Sequence, residues 1–141
     1  MSGFLLDTNV PSELVHTRPE PKVTEWVLAQ DNAALFLSVI SIGELRKGCT
    51  IMPDSKRRSH LEAWIENYLL PWFNGRILPV TLPIADRWGI LEGVRRLAGR
   101  PLGAPDGLIA ATAIEHRLTV VTRNVKDFEG LGVTIFNPWD A

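Results

Sequence analysis

Phe4-Leu5-Leu6-Asp7-Thr8-Asn9 is an apolar triplet that stops abruptly at an acid followed by two small polar residues. A short unbroken apolar run is the pattern of a strand buried on both faces, which is the rule in parallel sheets covered by helices. The stretch therefore predicts a strand that opens into a loop at Asp7. In sheets of that kind ligands sit beyond the carboxyl ends of the strands, where Asp7 would stand.

Working outward, the rest of the chain alternates helix and strand. Pro21 to Gln30 carries Val23, Trp26 and Val27 at i, i+3, i+4 and predicts an amphipathic helix, followed by a strand over Ala34 to Val39. Ser41-Ile-Gly-Glu44 is expected to open a short helix ending at Gly48. Asp54 to Phe73, with Leu61, Trp64, Ile65, Tyr68 and Leu69 on one stripe, predicts a longer helix ended or kinked at Pro71. Ile77 to Val80 reads as a strand, and Thr81-Leu82-Pro83 as the start of a helix running to about Ala98. Gly99 to Pro105 reads as loop, Asp106 to His116 as a helix apolar nearly all round and hence buried, and Leu118 to Thr122 and Val133 to Phe136 as the last strands. Short apolar strands separated by helices predict an α/β fold: one domain over residues 1–141, with a mainly parallel central sheet flanked by helices.

The chain has 141 residues, 45% apolar and 22% charged, which excludes a disordered or fibrous chain. Met1 to Leu6 lacks a basic flank and runs straight into Asp7, and no apolar run approaches the ~20 residues of a membrane span, so a soluble cytoplasmic protein is expected. Cys49 is the only cysteine and the three histidines are scattered, which argues against zinc chemistry. The net charge of −1 is low for a nucleic-acid partner. Four converging carboxylates that bind a divalent cation would, however, leave the remainder of the surface net positive.

Asp7 after the first strand, Glu44 after the second, Asp106 at the start of the buried helix and Asp127 after Thr122 all fall near one edge of such a sheet. Each has an ordinary alternative: an Asx turn or N-cap for Asp7, a capping box with Ser41 for Glu44, helix-dipole complementation for Asp106, a turn acid for Asp127. Jointly they are harder to explain that way. Crowded carboxylates repel, and they persist only with raised pKa values or a bound cation. An all-oxygen donor set suits Mg²⁺ or Mn²⁺ and the hydrolysis of phosphodiesters.

The segments Leu5-Leu-Asp7-Thr8-Asn9, Ser41-Ile-Gly-Glu44-Leu45, Ala104-Pro-Asp106-Gly-Leu-Ile-Ala-Ala-Thr112-Ala and Thr122-Arg-Asn124-Val-Lys-Asp127-Phe128 together resemble the PIN-domain ribonucleases of the VapC toxin family, most closely its FitB-like branch. The resemblance runs from about Gly3 to Pro138. It implies a PIN-like fold, an Mg²⁺- or Mn²⁺-dependent endoribonuclease acting as a toxin, a homodimer, a cognate small antitoxin, and a higher toxin–antitoxin assembly on operator DNA. Asp7, Glu44 and Asp106 match the family's most characteristic acids. Asn124 stands where many relatives carry aspartate, leaving Asp127 as the only acid of its loop.

On this reading Asp7 and Asp106 bind the ion most directly, Glu44 positions or deprotonates the attacking water, and Asp127 holds a metal-bound water. Thr8, Asn9, Thr122 and Asn124 would orient the carboxylates or contact phosphate. Substrate grip is expected from Arg46, Lys47, Lys56, Arg57, Arg58, Arg95, Arg96 and Arg100, although for most of them a plain solvated face is the better explanation. Five tryptophans are many for the length, and the sequence does not separate core from interface among them. A haloacid-dehalogenase-type phosphatase would need a second aspartate where Asn9 stands, and a receiver domain an acid beside Asp7. A non-catalytic metal- and nucleic-acid-binding module, acting only within a DNA-bound toxin–antitoxin complex, is the alternative function.

Overall fold

The computed structural model describes residues 3–141. Met1 and Ser2, part of the segment read against a signal peptide, lie outside them. Five strands, β1 (Gly3–Leu6), β2 (Leu35–Ser38), β3 (Ile77–Leu78), β4 (Leu118–Val121) and β5 (Ile135–Phe136), form one sheet in the order β3-β2-β1-β4-β5. Every pairing is parallel, with Phe4 opposite Leu35 and Leu6 opposite Val121. The strand that opened the reading is the centre of the sheet.

Successive side chains of a strand point to opposite faces, so each apolar strand feeds two cores. Leu6, Leu35, Leu37 and Val121 pack with Val10, Val23, Val27, Leu69 and Phe73 on one face. Leu5, Leu118 and Val120 pack with Ile109, Ala110, Ala113 and Phe128 on the other. The first face is covered by α1 (Asn9–Leu14) and α2 (Pro21–Ala29), and the second by α7 (Ala104–His116), against which α6 (Leu82–Leu97) packs from outside. The all-round apolar helix is thus buried between the sheet and α6, as its composition predicts. Trp26 belongs to the first core, its ring 5.0 Å from that of Phe4 and 5.1 Å from that of Phe136. Among the described residues no helix is long and apolar enough to cross a membrane.

Several boundaries differ from the sequence reading. The polar stretch after Asp7 is not loop but the start of α1, and residues 125–128 form a short helix, α8 (Val125–Phe128). The helix bearing Glu44, α3 (Val39–Thr50), begins earlier and ends later than expected. Its N-cap is Ser38, whose hydroxyl accepts from the Ile40 N–H at 3.0 Å, so Ser41 and Glu44 are not a capping box but lie inside the helix, one turn apart. The long helix is interrupted: α4 (Lys56–Trp64) passes into a wider π-helical turn over Ile65–Leu69 before α5 (Leu70–Trp72). Pro71 lacks an N–H and its ring would strike the carbonyl one turn back, and widening the preceding turn relieves both.

Candidate active site

β1 delivers Asp7 to the carboxyl edge of the sheet, where its N–H still pairs with the Val121 carbonyl at 2.9 Å. The side chain is only 4% exposed and both its oxygens are occupied. Oδ1 accepts from the Thr8 N–H at 2.8 Å, and Oδ2 accepts from the Thr122 hydroxyl at 2.7 Å and more distantly from the Asn9 amide at 3.4 Å. Thr122, fully buried at the end of β4, uses its hydroxyl completely. It donates to Asp7 and accepts from the Asn9 amide at 3.2 Å and the Asn124 N–H at 2.9 Å. The segments that follow β1 and β4 are thereby joined through one carboxylate.

The start of α1 also meets α3. The Thr8 hydroxyl donates to Glu44 Oε1 at 2.6 Å and lies 3.0 Å from the hydroxyl of buried Ser41. One turn separates Ser41 from Glu44, so both face Thr8. The sequence reading missed Ser41 as part of the site, having assigned it to capping. The i, i+3 spacing was the available signal.

Asp106 occupies the first turn of α7, where the helix N-terminus favours negative charge. Asp127 lies in α8 and is exposed. Burial, followed by the negative charges of Asp7, Asp127 and Glu44, pushes the Asp106 carboxyl up to about 6. Burial is also the main force raising Asp7, opposed by its bonds from Thr122 and Thr8 and reinforced by Glu44 and Asp127. Four acids from separate stretches of chain therefore share one electrostatic neighbourhood. Among the described residues, no three His, Cys, Asp or Glu side chains are gathered closely enough to make a ready-formed metal cage. That arrangement suits a hard cation that keeps several of its waters and takes only one or two carboxylates directly.

Gly107, next to Asp106 in the first turn of α7, lies against Trp88 of α6. A Cβ there would lie 2.7 Å from Trp88 Cδ1 and 2.9 Å from its Nε1, so the absence of a side chain lets α6 and α7 approach. The buried Trp88 Nε1 has no hydrogen-bond partner, which fits a ring placed for packing. Gly107→Ala is expected to push Trp88 aside, lower stability by ~1–3 kcal/mol and reduce activity by displacing Asp106. Chemical denaturation and turnover measured together check this, and unchanged values for both would show that the contact is slack.

Of the eight basic residues expected to grip substrate, Arg46, Arg58, Arg95 and Arg96 are engaged elsewhere. Arg46 pairs with Glu66 at 3.1 Å and Arg96 with Glu92 at 3.8 Å. Arg95 donates to the carbonyls of Arg100 at 3.0 Å and Glu129 at 3.3 Å, so it fastens a loop. Lys47 is exposed near the end of α3. None of Arg46, Lys47, Arg95 and Arg96 forms a hydrogen bond or ion pair with Asp7, Glu44, Asp106 or Asp127. Two depressions do reach the acids. One, of about 180 Å³, is apolar and lies beside Thr8 and Glu44, lined by Leu45, Cys49, Met52 and Trp64. The other adjoins Asp127 and contains Arg123, a residue the sequence reading passed over.

Residues 4–132 match the PIN domain family. The chain is 40% identical to the VapC ribonuclease Y4jK of Sinorhizobium fredii (strain NBRC 101917 / NGR234), over 97% of this chain and 98% of that one. It is 38% identical to the toxin FitB of Neisseria gonorrhoeae (strain ATCC 700825 / FA 1090), over 96% and 98% respectively. Its fold superimposes on the crystal structure of FitAcB from Neisseria gonorrhoeae with a TM-score of 0.90 at 38% identity, covering 98% of this chain and 99% of that chain.

Proposed function

The chain belongs to the PIN-domain family, and from that premise we propose that it is the toxin of a toxin–antitoxin pair: a single-domain, cytoplasmic endoribonuclease that hydrolyses RNA phosphodiester bonds with Mg²⁺ or Mn²⁺. Relatives named as a VapC ribonuclease and a toxin, similar along nearly their whole length, support this reading. The observation that carries it is the burial of Asp7 at the carboxyl edge of the sheet, in one electrostatic neighbourhood with Asp106, Glu44 and Asp127, whose negative charge a divalent cation would offset.

Asp7 and Asp106 are the residues we assign to the ion. When bound, the ion would lower the pKa of a water and offset charge on the phosphate. Thr122 and the Thr8 N–H hold the Asp7 carboxylate in one orientation, so little rearrangement is needed to present it. Glu44, fixed by the Thr8 hydroxyl through Oε1, accepts the proton of the attacking water at its other oxygen. Asp127 closes the exposed side of the cluster. Asn9 and Asn124 brace Thr122 by way of their N–H groups.

The partners follow the same reading. A small antitoxin would silence the enzyme by laying a peptide over the acids, an arginine taking the place of the cation, and the pair could assemble further on operator DNA. The exposed apolar residues Ile90, Val94 and Leu97 of α6 form a stripe suited to a second copy of the chain. Light scattering reads the homodimer directly, and a monomer at micromolar concentration would remove it.

The decisive test is cleavage of a structured RNA with Mg²⁺ or Mn²⁺, with EDTA and Asp7→Ala as controls. Cleavage is expected only for wild type with metal. Metal-independent cleavage, or cleavage retained by Asp7→Ala, would overturn the assignment, and RNA binding without cleavage would favour the non-catalytic module.

A further inference from the structure

We propose that Arg123 and Lys126, with Trp139 beneath the guanidinium, form a ledge that grips the RNA backbone beside the acidic cluster. The inference rests on the ribonuclease reading above.

A cluster of four acids repels a polyanion, so delivery of a phosphodiester requires nearby cations that the protein has not already neutralised. Six of the fifteen Lys and Arg side chains are committed, and of the rest only Arg123 and Lys126 line the depression that contains Asp127. Arg46, Arg58, Arg87 and Arg96 pair with glutamates, and Arg76 and Arg95 donate to backbone carbonyls. Arg123 and Lys126 are exposed and form no ion pair with any described residue. Both line the depression of about 460 Å³ that contains Asp127. Asp140, the other acid in that depression, accepts from the Asn137 amide at 3.2 Å.

Arg123 is also held in place. Its N–H donates to Asn9 Oδ1 at 3.4 Å, and its neighbours Thr122 and Asn124 are bonded to each other at 2.9 Å, so its backbone belongs to the frame that fixes Asp7. The guanidinium carbon stands 5.6 Å over the Trp139 ring. Trp139 is half-buried and its N–H is bonded to Asn137 Oδ1 at 2.9 Å. A guanidinium stacked in this way loses less freedom on meeting a phosphate than one on a mobile stem. The apolar depression beside Glu44 offers a phosphate no such group along its walls. Contacts of this type position RNA without reading its sequence.

The test is fluorescence anisotropy with a short labelled oligouridylate over a salt series, in an Asp7→Asn background that does not cut, together with steady-state cleavage by the otherwise wild-type enzyme. Arg123→Ala is expected to weaken binding roughly tenfold and to lower the salt slope by about one. It should raise KM with little change in kcat. Arg123→Lys should restore the slope but only part of the affinity, and Trp139→Leu should fall between them. Parental affinity and salt slope in both Arg123→Ala and Lys126→Ala would overturn the ledge while leaving the ribonuclease reading intact. Loss of duplex-DNA binding with RNA binding unchanged would also overturn it. A wild-type protein that neither binds nor cuts RNA would remove both.

Discussion

Asp106→Asn is expected to abolish RNA cleavage, by more than ~100-fold, and at the same time to stabilise the metal-free protein at neutral pH. The first effect follows from losing a carboxylate assigned to the ion, since even groups that merely orient such ligands change activity by about 10–100-fold. The second follows from the sign of the pKa change. Burial and the charges of Asp7, Asp127 and Glu44 raise the carboxyl to about 6, well above the usual carboxylate range. The folded state therefore keeps a proton that the unfolded state has already released. Stability from this group is fully present below about pH 4 and is lost as pH rises through about 6. A shift of this size corresponds to at most ~3 kcal/mol, and partial solvation of the carboxyl reduces that to roughly 1–2 kcal/mol. Calorimetric melts without metal should place Asp106→Asn several degrees above wild type at pH 7.5, with the gap closing at pH 4.5. Adding Mg²⁺ should raise only the wild type. A variant that melts below wild type at pH 7.5 would mean that the acids do not repel as described.

The second large effect is expected at a residue that carries no charge. Thr122→Val preserves shape but removes the hydroxyl that donates to Asp7 at 2.7 Å and accepts from Asn124 and Asn9. That donor is the strongest influence holding the Asp7 carboxyl down against burial. Without it the carboxyl should rise further, and the acid limb of the activity profile should move to higher pH. Cleavage at neutral pH should fall by ~10–100-fold, and leaving buried polar groups unpaired should lower stability by ~1–3 kcal/mol. Thr122→Ser, which keeps the donor, should recover most of both. A pH–rate profile for Thr122→Val that overlays wild type would show that the hydroxyl does not govern Asp7.

Much of this was legible in the residues. The strands that cross the middle of the sheet were readable because burial on both faces leaves an unmistakable run, as in Phe4-Leu5-Leu6. That the four acids would fall near one edge of the sheet was readable because Asp7 and Asp127 come after such runs, Glu44 lies in the helix after another, and Asp106 opens the apolar helix. What was hidden depended on contacts between distant segments. α1 starts at Asn9 and contains Pro11, residues that read as turn until the Val10 and Ser12 N–H groups are seen to bond back to Asp7 and Thr8. Ser41 gained its role only when Thr8 arrived opposite it. The roles of Arg95 and Arg123 were undecidable from composition, since whether a guanidinium fastens a loop or faces an open depression is fixed by what folds around it.

The rims of the sheet carry a last consequence. β3 and β5 are two residues each, so a stray extended chain arriving from solution finds too few unpaired backbone groups to dock against. The protein is thus built to resist stacking with its own copies edge to edge, and should remain dispersed when produced in excess, even with its broad apolar interior.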